Sequence, residues 1–171
     1  EQEKTEYLQA VRLFQRDLNG KDDKDLERII PSPGKSAFDP ILYRDLADSR
    51  PEFRLALAWV YSQSGRDEDF PKALNLALSL IAPPLGVEDD TEEWWRARAI
   101  QMELYLGAAD RRLSEGTAPA EAKQYLETAG KVFQGLAATF PDLGERSVPG
   151  NYARWGATLE RLDSLRAKVG L

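Results

Sequence analysis

Apolar residues recur with the period of a helix along almost the whole chain. Tyr7, Val11, Phe14 and Leu18 fall at the four-three-four spacing of one helix face, and Asn19-Gly20 stops that helix. A shorter helix is predicted over 23–30, ended by Pro31-Ser32-Pro33-Gly34, and another over 41–48, started by Asp39-Pro40. Arg50-Pro51 breaks it. The next segment, 51–64, is apolar almost all round from Phe53 to Tyr61, as a helix with neighbours on several sides would be. Gly65 ends it.

The pattern continues with helices over 70–82, 92–115, 119–140 and about 150–170. Ala73, Leu74, Ala77, Leu78 and Ile81 make one face of the first of these, and Pro83-Pro84 closes it. Thr91 is the expected N-cap of the next, with Glu92 and Glu93 in the first turn where the helix dipole favours carboxylates. Trp95, Ala99, Met102, Leu106, Ala109 and Leu113 form its stripe. Ala122, Leu126, Ala129, Phe133, Leu136 and Phe140 form the stripe of its partner, which Pro141 ends. The last helix shows Tyr152, Trp155, Leu159, Leu162 and Val169 on one side. Seven to eight helices and no credible strand predict an all-α chain of antiparallel neighbours.

Composition agrees with that. Of 171 residues, 42% are apolar and 30% charged, and Leu and Ala outnumber the β-branched residues that strands favour. The formal net charge of −6, with basic residues scattered among acids, argues against nucleic acid as a partner. The longest apolar run, Leu55 to Tyr61, is seven residues, against roughly twenty needed to span a bilayer, so no membrane insertion is expected. The absence of Cys fits either export or the cytoplasm and leaves the compartment open. Residue 1 is Glu and no signal-peptide core follows it, so the chain is expected to be processed or cut from a longer protein.

Two stretches share a grammar of helix, Gly turn, helix and Pro, and resemble tetratricopeptide repeats. In the first, 51–84, Leu57-Ala58-x2-Tyr61 matches the Leu-Gly-x2-Tyr core, Gly65 the turn, Ala73 the small residue of the second helix, and Pro83 or Pro84 the close. Arg54 stands in the Trp position and Ala77 in the Phe position. In the second, 91–141, Trp95, Ala99, Ala122-x3-Leu126 and Pro141 match, while Arg98 and Met102 replace Leu and Tyr. Ala58 and Ala73 lie 15 apart and Ala99 and Ala122 lie 23 apart, wider than the family's 34-residue repeat provides. The second excess points to one extended hairpin. The resemblance covers about 90 of the 171 residues. It implies a single domain, 1–171, stacked as a right-handed superhelix. Within it, residues 1–50 carry no readable repeat, and 150–170 form the capping helix that such stacks need.

Catalytic chemistry is thin. With no His and no Cys, the commonest general base, zinc ligands and activated nucleophile are missing. Gly34-Lys35-Ser36 has the tail of a phosphate loop but Ile29 where its first Gly belongs. The acidic stretches Asp22-Asp23-x-Asp25, Asp67-Glu68-Asp69 and Glu88-Asp89-Asp90 lack calcium-loop spacing and sit where turns and helix starts use carboxylates. No enzyme activity, metal or cofactor is expected.

The resemblance implies instead a groove for a protein or peptide, lined by the first helix of each repeat. Taking Ala58, Tyr61 and Gly65 as the packing face, about 100° per residue places Leu55 and Trp59 round one side, with Glu52 and Gln63 continuing it. Arg96, Ile100 and Glu103 lie similarly on the long helix. An aromatic among polar groups has the composition of an interaction hot spot. The plainer reading is that Leu55 and Trp59 pack on helix 41–48. Two functions therefore stay open: a partner-binding module, and a structural or oligomerisation segment of a larger multidomain or cell-envelope protein, which includes a homo-oligomer.

Overall fold

The computed structural model describes residues 51–82 and 86–171. The helices expected over 7–18, 23–30 and 41–48, and the Pro83-Pro84 close, lie outside those residues. Within them the chain is all helical: α1 (Pro51–Gln63), α2 (Phe70–Ile81), α3 (Glu92–Ser114), α4 (Pro119–Thr139) and α5 (Asn151–Lys168). Among the described residues no helix is long and apolar enough to cross a membrane.

Each boundary has a local cause. Gly65 takes φ +68 after α1, and α2 follows a turn tied by Asp69 N–H donating to the Arg66 carbonyl. The hydroxyl of Thr91 accepts from the Trp94 amide at the start of α3, with Glu92 and Glu93 in the first turn and Arg111 and Arg112 in the last, both signs suiting the helix dipole. Gly116 at φ +65 turns the chain, and Pro119 opens α4, where its missing N–H costs no hydrogen bond. The 23-residue α3 and 21-residue α4, about 34 and 32 Å long at 1.5 Å per residue, lie against each other as one extended hairpin.

Helix α3 is the centre. It packs on α1 and α2 on one side and on α4 and α5 on the other. Two stripes on it account for this. Ala97, Ile100 and Leu104 join the cluster built from Leu55, Leu57, Ala58, Tyr61, Ala73, Leu76, Ala77, Leu80 and Ile81. Trp95, Met102, Leu106 and Ala109 join a second cluster with Ala122, Leu126, Ala129, Leu136, Trp155, Leu162 and Leu165. Ile100 and Met102 are two residues apart, so about 200° separates the two faces. A helix buried on opposite faces keeps only narrow polar flanks.

The aromatic side chains concentrate in the second cluster. Trp95 is 1% exposed and meets Trp94, Phe140 and Trp155 edge-on, with ring centroids 5.0, 5.4 and 5.7 Å away. Its indole Nε1–H donates to Asp90 Oδ1 at 2.7 Å, and the Ser147 hydroxyl donates to the other oxygen of the same carboxylate. The connection between α4 and α5 is thereby held on the start of α3. Leu143 and Gly144 adopt φ +49 and +74 there, and the buried Asn151 amide donates to the Leu143 carbonyl at 2.7 Å.

Some expected stripe residues sit otherwise. Ala58, Ala73 and Ala122 are fully buried, but Ala99 is half-exposed; Ala97 and Ala109 supply the close approaches on α3. Tyr152, expected on the inner face of α5, is 59% exposed, while Leu165 is buried in its stead. Tyr125 is half-buried, packed against Phe70 and Tyr105 where the starts of α2 and α4 meet.

Candidate functional site

The expected groove residues divide between core and surface. On α1, Trp59 is 39% exposed, with Glu52 and Gln63 exposed on the same side. Leu55, by contrast, is 9% exposed and belongs to the α1–α2–α3 core. It lies about 60° round from Ala58, near enough to the packing face to be covered. On α3, Arg96 and Glu103 are exposed, whereas Ile100 is 7% exposed in the same core as Leu55. The expectation that Leu55 and Ile100 line an open groove is corrected. They support the surface from beneath, because α3 buries a second stripe that its main apolar stripe did not announce.

The exposed members are brought partly together. Gln63 and Glu103 line one cleft of about 130 Å³ between the end of α1 and the middle of α3, with Tyr61, Arg66, Gly107 and Arg111. Gly107 keeps that wall low: a Cβ there would meet only the ends of the Arg111 and Glu103 side chains. Glu103 also receives both hydrogen bonds from Arg161 Nη1, at 2.9 and 2.7 Å, so α5 enters the same surface. Arg96 is ion-paired to Glu92 at 2.7 Å. Gln63 and Glu103 are thus the two expected residues brought to one cleft, which Trp59, Glu52 and Arg96 do not line, and the charges of Arg96 and Glu103 are already committed to partners on the protein.

The acidic stretches have structural roles. Asp69 is fully buried and accepts from Arg66 Nε at 2.7 Å and Lys72 Nζ at 2.8 Å. Burial pushes its carboxyl up, but hydrogen bonds from Lys72, Ser64 and Arg66 outweigh this and hold it below the usual carboxylate range. Asp67 pairs with Arg112 at 2.8 Å and Glu68 with Arg66 at 3.1 Å. Asp90 anchors Trp95 and Ser147. Asp22-Asp23-x-Asp25 lies outside the described residues. Among the described residues no group of three or more carboxylates could hold a metal ion.

One feature escaped sequence reasoning. A cleft of about 330 Å³ between the first half of α3 and the second half of α4 is lined by Asp89, Trp94, Arg98, Lys131, Val132, Gly135, Leu136, Thr139 and Phe140. Arg98 lies over the Trp94 ring, 4.7 Å from its centroid. The signal was the Trp94–Arg98 pair itself, four residues apart and so on one helix face.

Arg54, in the position where the repeat pattern has Trp, is 3% exposed and donates through Nη1 to the Ser79 carbonyl and hydroxyl. Burial lowers its pKa. It joins α1 to α2 by hydrogen bonds. No family model, no curated protein and no solved structure matches this chain.

Proposed function

We propose that this chain is a non-catalytic module that binds a protein or peptide, built as a tetratricopeptide-like right-handed stack. The observation that carries the reading is the order of packing. Helix α1 lies on α2 and α3, and α5 on α4 and α3, so the first, third and fifth helices run as one row, as in a stack of αα-hairpins. That row displays the exposed Trp59. In the proposed stack α5 caps the far end; the expected total of seven or eight helices includes residues 1–50, which lie outside the described residues.

The partner surface is Trp59 at the centre, with Glu52, Gln63, Arg96 and Glu103 around it. Leu55 and Ile100 act from behind by fixing the distance between α1 and α3. An indole that is partly covered on its own protein has apolar area left to bury, and polar neighbours give register. The absence of His and Cys from all 171 residues and the structural roles of the described carboxylates support a binding role over catalysis.

A photo-crosslinking residue placed at Trp59, with a second at exposed Lys123 on α4 as control, tests this in cells producing the full-length protein. A discrete heterologous adduct from position 59 and none from 123 is expected. Equal labelling at both positions would remove the assignment. An adduct with a second copy of the chain would favour the oligomerisation reading.

A further inference from the structure

The α3–α4 cleft lies on the opposite side of α3 from Arg96: Arg98 is two residues on, about 200° round the helix. It is separate from the surface proposed above, and its residues are unused there. Val132, Leu136 and Phe140 supply apolar lining from α4, with the Phe140 ring edge-on to Trp94 at 5.3 Å. At Gly135 a Cβ would meet nothing within 4 Å, so the second half of α4 leaves room for a bound group.

Two cations face this space. Arg98 is held by the Trp94 ring beneath it and by one hydrogen bond, from Nη1 to Gln101 Oε1 at 3.1 Å. Its Nε is buried without a partner. Unlike Arg66, Lys72, Arg96, Arg112 and Arg161, which are ion-paired, Arg98 and Lys131 form no ion pair among the described residues. Burial lowers the Arg98 pKa and Asp89 opposes that, but a guanidinium stays charged at any physiological pH. A cation that is already oriented and partly stripped of water loses little on meeting an anion.

We propose that this cleft binds an organic carboxylate, with the acid group between Arg98 and Lys131 and a flat apolar body along Val132, Leu136 and Phe140. Asp89 lines the same cleft. Two cations and one carboxylate leave one positive charge, which matches a monoanion and disfavours a phosphate dianion. The acid belongs either to a free small molecule or to the C-terminus of a peptide ending in an aromatic residue; the recognition chemistry is the same.

The test is a titration of the full chain with phenylacetate, followed by tryptophan fluorescence and calorimetry. Phenylacetamide is the uncharged control and inorganic phosphate the dianionic one. Saturable binding of phenylacetate is expected, weakened about tenfold or more by Arg98→Gln, less by Lys131→Gln, and abolished by Gly135→Leu, which fills the open space. Phenylacetamide and phosphate should bind at least about tenfold more weakly.

A hexapeptide of five Ala and a terminal Phe, with free or amidated C-terminus, separates the two sources. Tighter binding of the free-acid peptide than of phenylacetate assigns the site to peptide termini, and weaker or equal binding assigns it to small acids. Circular dichroism checks that each variant keeps its helices. No saturable phenylacetate or peptide binding, or equal binding by the parent and the well-folded Gly135→Leu variant, would overturn the proposal. Neither result bears on crosslinking at Trp59, so the two readings fail separately.

Discussion

Replacing Gly144 by Ala is the most direct probe of how the α4–α5 connection is fastened to α3. A Cβ built at Gly144 falls on the Trp95 indole, 2.6 Å from Cζ2 and nearer still to Cε2 and Nε1. The residue also has φ +74, where an L side chain costs about 1 kcal/mol or more. Neither partner has an easy retreat. Trp95 is 1% exposed, ringed by Trp94, Phe140 and Trp155, and overpacking such a site costs about 1–3 kcal/mol. Any movement of the indole also stretches its hydrogen bond to Asp90, and stranding a buried polar group costs about 1–3 kcal/mol. These terms overlap, because relieving the clash is what breaks the bond, so the expected loss is about 3–5 kcal/mol.

Urea unfolding followed by far-ultraviolet circular dichroism measures it, provided the slope against denaturant stays constant. Gly65→Ala is the control for backbone strain alone: φ is +68 but nothing lies within 4 Å of its Cβ, so about 1 kcal/mol is expected. A double-mutant cycle with Trp95→Leu isolates the contact, since with the indole gone Gly144→Ala should cost no more than Gly65→Ala. Equal losses for Gly144→Ala and Gly65→Ala in the parent chain would refute the close approach of Gly144 to Trp95.

Three further outcomes follow from named groups. Asp69→Asn should cost about 1–3 kcal/mol at pH 7, because Lys72 and Arg66 lose a buried carboxylate partner. Since the Asp69 pKa is depressed below its ordinary 3.8, its stabilisation is complete above that value and lost as pH falls through the lower native one; denaturation at pH 7 and pH 2 should show the gap between parent and variant closing. Glu145→Ala should raise amide exchange at Gly150 and Tyr152, whose N–H groups donate to that carboxylate at 2.9 and 2.8 Å and hold its pKa down; unchanged exchange there would mean that the first turn of α5 is capped by other means. A double-mutant cycle on Glu103 and Arg161, paired across α3 and α5 but with side chains 47% and 39% exposed, should give a coupling of only about 0.2–1 kcal/mol, shrinking in salt.

The contrast between what periodicity revealed and what it hid has a physical basis. The starts and stops were legible because they are written in single residues with fixed backbone consequences. Thr91, Gly65, Gly116, Pro51 and Pro119 place the bounds of α1, α3 and α4 within a residue or two of those the structure adopts. Which face of each helix is covered was less legible. Where a helix is buried on one side, as α4 is, a single stripe names the core, and Ala122, Leu126, Ala129 and Leu136 are all buried. Where it is buried on two, the second stripe interleaves with polar residues and is mistaken for surface. That happened to Ile100; Leu55, on an almost wholly apolar α1, stood open between groove and core, and it is buried.

The same cause hid the Trp94 cleft. With Trp95 already accounting for the main stripe of α3, its neighbour fell between stripes, although both indoles are buried. Trp94 is covered because the end of α4, carrying Phe140, comes back over the start of α3. That return follows from the near-equal lengths of the two helices. The long spacing between Ala99 and Ala122, which departs most from the repeat pattern, therefore also makes the cleft. The matched lengths of α3 and α4 are thus where this chain's most individual chemistry would be sought, and shortening α4 by one turn at its C-terminal end should open the cleft while leaving in place the α1–α2–α3 core, to which α4 contributes no residue.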